Sequence, residues 1–234
     1  MQPGRLLTIT GLLVALSAAG ARAEVEDESP VSISVRLDYM SRYLFSGLAF
    51  STGSVLSPGV SIGYHGFTLN AYNIYDADTD EVSEGGFFAD YYHQFGERAG
   101  VYAGVANFNY KNFEEPGKWA STYEFNAGLV TSLPGNPALH YARDFSLSED
   151  GQTIRLALSH DVPAGAVTFT GSGNIMYNDN YYRTGSNLSH FDLSLSMSAP
   201  AGRFTLTPMV TWQHAIADDF ENYLVGILTL QGDF

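Results

Sequence analysis

Six histidines, His65, His93, His140, His160, His190 and His214, are the side chains of this 234-residue chain best suited to hold a metal or move a proton. No pair of them has the helical spacing of a zinc motif, and the chain has no cysteine to add a thiolate ligand. A hydrolase needs nucleophile, base and oxyanion donors to converge. Ser189 and His190 are adjacent, so in a regular strand they point to opposite faces and form no dyad. Ser159 and Asp161 flank His160 and meet the same objection. Asp76, Asp78 and Asp80 place oxygen ligands at alternate positions, as a calcium loop does. A helix–loop–helix calcium site also needs Gly at its sixth position and Glu at its twelfth; here those are Glu81 and Phe87. These residues predict no enzyme, no cofactor and no metal centre. The acidic stretch reads as a solvated loop, with bridging to anionic lipopolysaccharide through divalent cations as the alternative.

The elements that position the remaining charges follow from period. Val31, Ile33, Val35, Leu37 and Tyr39 fall on one face, and Ser32, Ser34, Arg36 and Asp38 on the other. The same alternation recurs in Ile154-Leu156-Leu158, in Phe191-Leu193-Leu195-Met197 and in Tyr123-Phe125-Ala127-Leu129, which is the strand signature. Twelve such segments are predicted, at 31–47, 55–65, 67–75, 85–95, 99–110, 120–132, 138–146, 152–162, 165–178, 187–199, 202–215 and 222–234. Most are longer than the usual soluble strand of about 5–6 residues and match the roughly 9–11 that a tilted strand needs to cross a bilayer.

The connections alternate between short and long. His65-Gly66, Gly96-Glu97-Arg98, the 133–137 turn, Pro163-Ala164-Gly165 and Pro200-Ala201-Gly202 carry turn residues. The other connections are longer and mostly acidic, as in Asp76–Glu84, the 111–118 loop with Glu114 and Glu115, Glu149-Asp150, and Asp218-Asp219-Glu221. This layout predicts an all-β fold: a transmembrane antiparallel up-and-down β-barrel of about 12 strands, with short periplasmic turns and longer acidic extracellular loops. An even strand count puts both chain ends at the short-turn rim. Only two lysines occur, Lys111 and Lys118, and the polar face is Ser, Thr, Asn and Gly. Phe67, Phe95, Trp119, Tyr177, Trp212, and Tyr43 with Phe45, fall near predicted strand ends, as interfacial girdles require.

Composition sets the remaining bounds. Charged residues are 15% of the chain, below the roughly 25% of soluble domains. A net charge of −14 repels phosphate and excludes nucleic acid as a partner. Arg5, the apolar run Leu6 to Ala19 and Ala21-Arg22-Ala23 predict a secretory signal at 1–23, leaving residues 24–234 as a single barrel domain. Removing Arg5 and Arg22 leaves 9 basic against 25 acidic side chains, a net charge of −16. At the other end Leu224, Leu228, Leu230 and Phe234 share a face. A last strand ending in an aromatic residue predicts recognition by the barrel-assembly machinery, since an apolar edge is a template for strand addition.

The run Leu37-Asp38-Tyr39-Met40-Ser41-Arg42-Tyr43-Leu44-Phe45-Ser46-Gly47 resembles the opening strand of the TorF family, proteobacterial outer-membrane proteins assigned a porin role. Pro58-Gly59-Val60-Ser61-Ile62-Gly63-Tyr64 with Gly66-Phe67-Thr68-Leu69, and Tyr141-Ala142-Arg143-Asp144-Phe145, are similar to that family as well. Ser46 stands where the family usually has Arg. The resemblance implies an outer-membrane location and a channel role, and supplies no substrate and no catalytic residue.

The face assignment gives Arg36, Asp38, Arg42, Asp90, Glu124, Arg155 and Asp192 as lumen-lining residues, because an arginine on the lipid face at mid-bilayer costs about 2–4 kcal/mol. Asp76, Asp78, Asp80, Glu81 and Glu84 are expected to form an acidic extracellular mouth. The expected function is a porin-like channel in a Gram-negative outer membrane, among lipids and lipopolysaccharide, for passive diffusion of small solutes or ions. A negative mouth makes it weakly cation-selective. The alternatives are a barrel-embedded lipid-modifying enzyme and a closed structural or adhesive barrel. Solute and oligomeric state are left open by the sequence. The mature protein is expected in the outer-membrane fraction as β structure whose electrophoretic mobility changes on boiling, and recovery as a detergent-independent soluble monomer would contradict this.

Overall fold

The computed structural model describes residues 31–111, 118–146, 150–183 and 185–234. The predicted signal at 1–23, Glu114, Glu115 and Glu149 lie outside the described residues. Fourteen strands follow one another: β1 Val31–Met40, β2 Leu44–Phe45, β3 Leu48–Ala49, β4 Val55–Tyr64, β5 Phe67–Asp76, β6 Glu81–Phe95, β7 Ala99–Lys111, β8 Trp119–Thr131, β9 Ala138–Asp144, β10 Gln152–Ala164, β11 Val167–Asp179, β12 Ser186–Ala201, β13 Phe204–Ala215 and β14 Tyr223–Asp233. Twelve of them close an antiparallel barrel in which β1 lies between β4 and β14, while β2 and β3 pair only with each other.

Closure is local in register. Val31 faces Tyr64 across β1–β4, and Ser34 faces Asp233 across β1–β14. The last residue completes the seam: Phe234 N donates to Ile33 O at 2.8 Å, and Ile33 N to Phe234 O at 2.9 Å. Both ends of the barrel therefore sit at the rim of short turns. The apolar face of each strand points outward. Leu224 is 72% exposed, Phe67 62% and Leu195 58%, values that a water-soluble protein does not carry over a whole surface. The inward face is polar, with Asn70, Thr153, Ser196, Thr207 and Thr229 all buried.

Inward tyrosines lie along the wall rather than across the bore. Tyr92 covers Gly100 and Tyr102 covers Gly128, and a side chain at either glycine would overlap the ring. Tyr102 reaches past Gly128 to His140 Nδ1 at 2.6 Å. Glycine here is a landing surface for a ring on the neighbouring strand.

Two expected boundaries differ. The first strand ends at Met40, not at 47. Tyr43-Leu44-Phe45 are consecutive apolar residues, so a wall strand would force at least one of them onto the polar inward face. The chain instead turns inward, and the β2–β3 hairpin reverses at Ser46 and Gly47, both with positive φ, 50° and 85°, the geometry of a tight hairpin turn. The Asp76–Glu84 loop contracts to residues 77–80, because β5 runs to Asp76 and β6 starts at Glu81. A bulge at the Ile74/Tyr75 step leaves Ser83 as the extra residue of β6. Leu228, mid-strand and outward, is 42% exposed. Leu228→Arg is expected to destabilise the folded barrel by about 2–4 kcal/mol in lipid, read by urea unfolding in vesicles; an unchanged midpoint would show that this face does not meet hydrocarbon.

Candidate functional site: a bore with an inward hairpin

Residues 41–54 fold into the barrel at the long-loop rim. Tyr43, Leu44 and Phe45 are 1%, 2% and 5% exposed and join Met40, Val55, Tyr72, Ile74, Phe88, Phe108, Met209, Val225 and Ile227 in one apolar cluster. Each large side chain buried this way contributes about 1.5–3 kcal/mol. Phe45 meets Phe50, Phe108 and Tyr182 edge-on, at 5.8, 5.4 and 5.9 Å between centroids, a favoured geometry for aromatic pairs. The 180–185 loop adds Tyr181, 1% exposed, and the 216–222 loop adds Phe220, 5% exposed.

Hydrogen bonds fix this plug to the wall. Glu84 Oε1 accepts from Tyr43 OH at 2.9 Å and from Tyr72 OH at 2.5 Å. Gln213 Nε2 donates to Gly47 O at the hairpin tip at 2.8 Å. Glu124 accepts from Tyr181 OH, and Asp144 from Tyr182 OH at 3.2 Å. Burial and then the neighbouring carboxylates push the loop phenols of Tyr43 and Tyr181 well above the usual tyrosine range, so both stay protonated donors. The arrangement is a polar-lined bore narrowed at one end by an aromatic hairpin.

The candidate lumen residues divide. Arg36 and Asp38 are inward on β1 and paired, Nε to Oδ2 at 2.7 Å, with Asp38 also accepting from Thr229 OH at 2.5 Å. Asp90, Glu124, Arg155 and Asp192 are inward on β6, β8, β10 and β12. Arg42 is not on a wall strand. It lies at the base of the inward loop, donating to Thr52 O at 3.1 Å and covering the Tyr223 ring at 5.3 Å. Its removal from the bore follows from the early end of β1.

The expected acidic mouth is corrected in part. Glu84 and Asp76 are each 5% exposed and point inward. Asp76 Oδ1 caps the turn by accepting from Asp78 N at 2.9 Å and Thr79 N at 3.3 Å. Asp78 accepts from Thr52 OH at 3.2 Å, Asp80 from Tyr75 OH, and Glu81 pairs with Lys111. Asp78, Asp80 and Glu81 stay at the rim. Tyr43 and Phe45 belong to the plug and not to an interfacial girdle, whereas Phe95 and Trp119 are outward, 53% and 52% exposed.

Ser189 and His190 also differ from expectation. A bulge at the Met176/Tyr177 step makes Ser189 an extra residue of β12, so both side chains are buried. Ser189 Oγ lies 3.0 Å from His190 Nδ1 and donates to Met176 O at 3.1 Å; His190 Nε2 lies 3.7 Å from Asp192 Oδ2. Ser189 is 0% exposed, and Phe220 lies 5.7 Å from the His190 ring. The Ser189–His190 contact is thus enclosed beneath the hairpin tip at Gly47 and the Phe220 ring. Among the described residues, no group of three or more metal-ligating side chains occurs. The sequence reading missed Glu84, Gln213 and Tyr181 as plug contacts; the consecutive apolar run before Ser46-Gly47 is the one local signal for an inward turn.

The fold is a closed 12-stranded antiparallel β-barrel with an apolar outer wall. Two solved structures of the KdgM porin share it. One, in complex with disordered oligogalacturonate, superposes with a TM-score of 0.57 at 13% identity, covering 87% of this chain and 99% of that chain. The other KdgM porin structure gives 0.55 at 13% identity with the same coverage. No protein-family model and no curated protein matches the chain.

Tyr43→Phe leaves Glu84 with one phenol donor in place of two. A stability loss of about 1–3 kcal/mol is expected in urea unfolding, and combining it with Glu84→Gln should cost less than the sum of the single changes, because they share one contact. Strict additivity would show that the latch is not formed.

Proposed function

We propose that the protein is an outer-membrane channel for passive diffusion of small solutes or ions, with a weak cation preference. The observation that carries this reading is the inverted wall of a closed barrel, apolar outside and Ser, Thr, Asn and Gly inside. Twelve strands enclose more space than the roughly eight whose side chains fill the interior, and Ser34, Ser61, Thr170 and Ser172, inward near the short-turn rim, are only partly buried. In this reading the 1–23 signal is removed on export. The long loops face outward among lipopolysaccharide in a Gram-negative outer membrane, and the β14 strand ending in Phe234 engages the assembly machinery. The likeness of the Leu37–Gly47 run to the TorF family supports the same role.

Charge gives the selectivity. Inward carboxylates include Asp38, Asp76, Glu84, Asp90, Glu124, Asp144 and Asp192, against Arg36 and Arg155. With Arg42 displaced to the mouth, the bore carries more negative charge than the sequence reading assigned. A low-dielectric wall focuses that field and enriches cations. Oligogalacturonate, present in the KdgM complex, is a polyanion; this bore opposes such a solute, and small neutral or cationic ones fit it better. A closed structural barrel is the second reading, favoured by the apolar plug of residues 43–50.

Planar-bilayer recording separates the two. The expected result is small conductance steps with a reversal potential of cation sign in a KCl gradient. Asp78→Asn, Asp80→Asn and Glu81→Gln together should reduce that preference at low salt and leave conductance unchanged near 1 M, where the Debye length is about 3 Å. Replacing Leu44–Ala49 by two glycines should raise the step size. Absence of current in both the native and the shortened protein would overturn the channel in favour of the closed barrel.

A further inference from the structure

Most inward carboxylates are engaged by a neighbour. Asp38 pairs with Arg36, Glu84 and Glu124 accept from phenols, Asp144 accepts from Tyr182, Asp161 accepts from Thr170 Oγ1 at 2.6 Å, and Asp192 bonds Asn174. Asp90 on β6 differs. It accepts no hydrogen bond from a described residue; its Oδ1 is enclosed without a partner, whereas Oδ2 is not enclosed. The arginines of the bore lie elsewhere. Arg36 is held by Asp38, and the carboxylates near Arg155 are Asp192 and Glu124.

The wall around Asp90 is open. Its partner on β7 is Gly104 and its partner on β5 is Thr68. All three are partly exposed on the inward face, so the exposure is to the bore. Tyr92, two residues nearer the short-turn rim and also partly exposed, lies over Gly100, and Tyr102 opposite it lies over Gly128. With both rings laid aside, a hollow remains in front of Asp90, edged by the Tyr92 ring. Twelve strands about 4.8 Å apart and tilted by about 40° hold opposite walls roughly 24 Å apart at the backbone. The wall facing β6 is β12, six places round the barrel, and it carries the short side chains Ser194, Ser196 and Ser198.

The geometry points to Asp90 as the docking point for an alkylammonium ion, with the ammonium on Oδ2 and the hydrocarbon against the Tyr92 ring. A carboxylate that no protein group compensates, set in a low-dielectric bore, attracts a cation. A metal ion needs several oxygens to replace its hydration shell, and among the described residues no group of three or more metal-ligating side chains occurs. An ammonium is satisfied by fewer acceptors, and an organic cation also gains from an aromatic face. Carboxylate and ring spring from one strand two residues apart, about 7 Å along it, a span that a short alkylamine covers. The site rests on the channel reading and names a solute class within its cation preference, yet binding itself does not require conduction.

Saturation-transfer NMR on the full mature protein in detergent tests it, with n-butylammonium as probe. The controls are n-butanol, which lacks the charge, and methylammonium, which lacks the chain. Butylammonium should bind saturably, with n-butanol weaker by about tenfold and methylammonium by about fivefold. Asp90→Asn, checked for retained heat-modifiable mobility, should bring butylammonium down to the level of n-butanol. Asp161→Asn removes an equal charge from a carboxylate already bonded to Thr170 and should change nothing. Tyr92→Ala should narrow the gap between the two amines, which keeps the test decisive where Asp90→Asn does not fold. No saturable binding, n-butanol binding as well as butylammonium, equal losses in Asp90→Asn and Asp161→Asn, or an unchanged gap in Tyr92→Ala would each overturn the site. Saturable, Asp90-dependent binding in a protein that passes no current would sustain the site and overturn the channel.

Discussion

In hydrocarbon every backbone N–H and C=O must be paired within the protein, and a sheet meets that demand only by closing on itself. The seam where β1 meets β14 is therefore the constraint on which the structure rests. Seven residue pairs join the two strands, and the Ile33–Phe234 bonds extend the ladder to the chain terminus. Once closed, the barrel has no edge, and the two faces of every strand are sorted into lipid and lumen. Outward leucines and inward serines follow from that sorting.

Closure creates a second problem, an interior too wide for wall side chains to fill. The protein solves it differently at its two ends. Toward the short turns, tyrosines such as Tyr92 and Tyr102 lie flat over glycines and leave the bore polar. Toward the long loops, the 41–54 segment supplies an apolar core of its own inside the barrel, with Phe45 at its centre. Glu84 and Gln213 hold its inner part, and its base is tied by Ser41 to Gly226, Thr52 to Asp78 and Ser54 to Ala77. The hairpin between these ties is held by ring contacts, unlike a wall strand bonded along both sides.

Buried charge in the bore is arranged in local balances. Arg36 is neutralised by Asp38 on its own strand. Glu84 and Glu124 are satisfied by phenols from the inward loops, so their acceptor capacity is spent on holding the plug.

Period and composition together determined the barrel. Alternation in β1, β10 and β12 ties each residue to a face, and a polar face of Ser, Thr, Asn and Gly, only two lysines, aromatics near strand ends and turns of alternating length point to an inverted wall. Alternation also placed Arg36, Asp90, Glu124, Arg155 and Asp192 inward. Alternation fails where the backbone departs from a regular strand, and those are the places only the tertiary structure decided. The bulge at Ser189 put two successive side chains inside, the bulge near Ser83 accompanied the move of Glu84 from loop to interior, and the inward turn after Met40 converted an expected wall segment into a plug. Each depends on contacts far along the chain, Gly47 with Gln213, Tyr43 with Glu84 and Tyr181 with Glu124. No local pattern encodes such pairs, since their energy exists only once the barrel has brought the partners together.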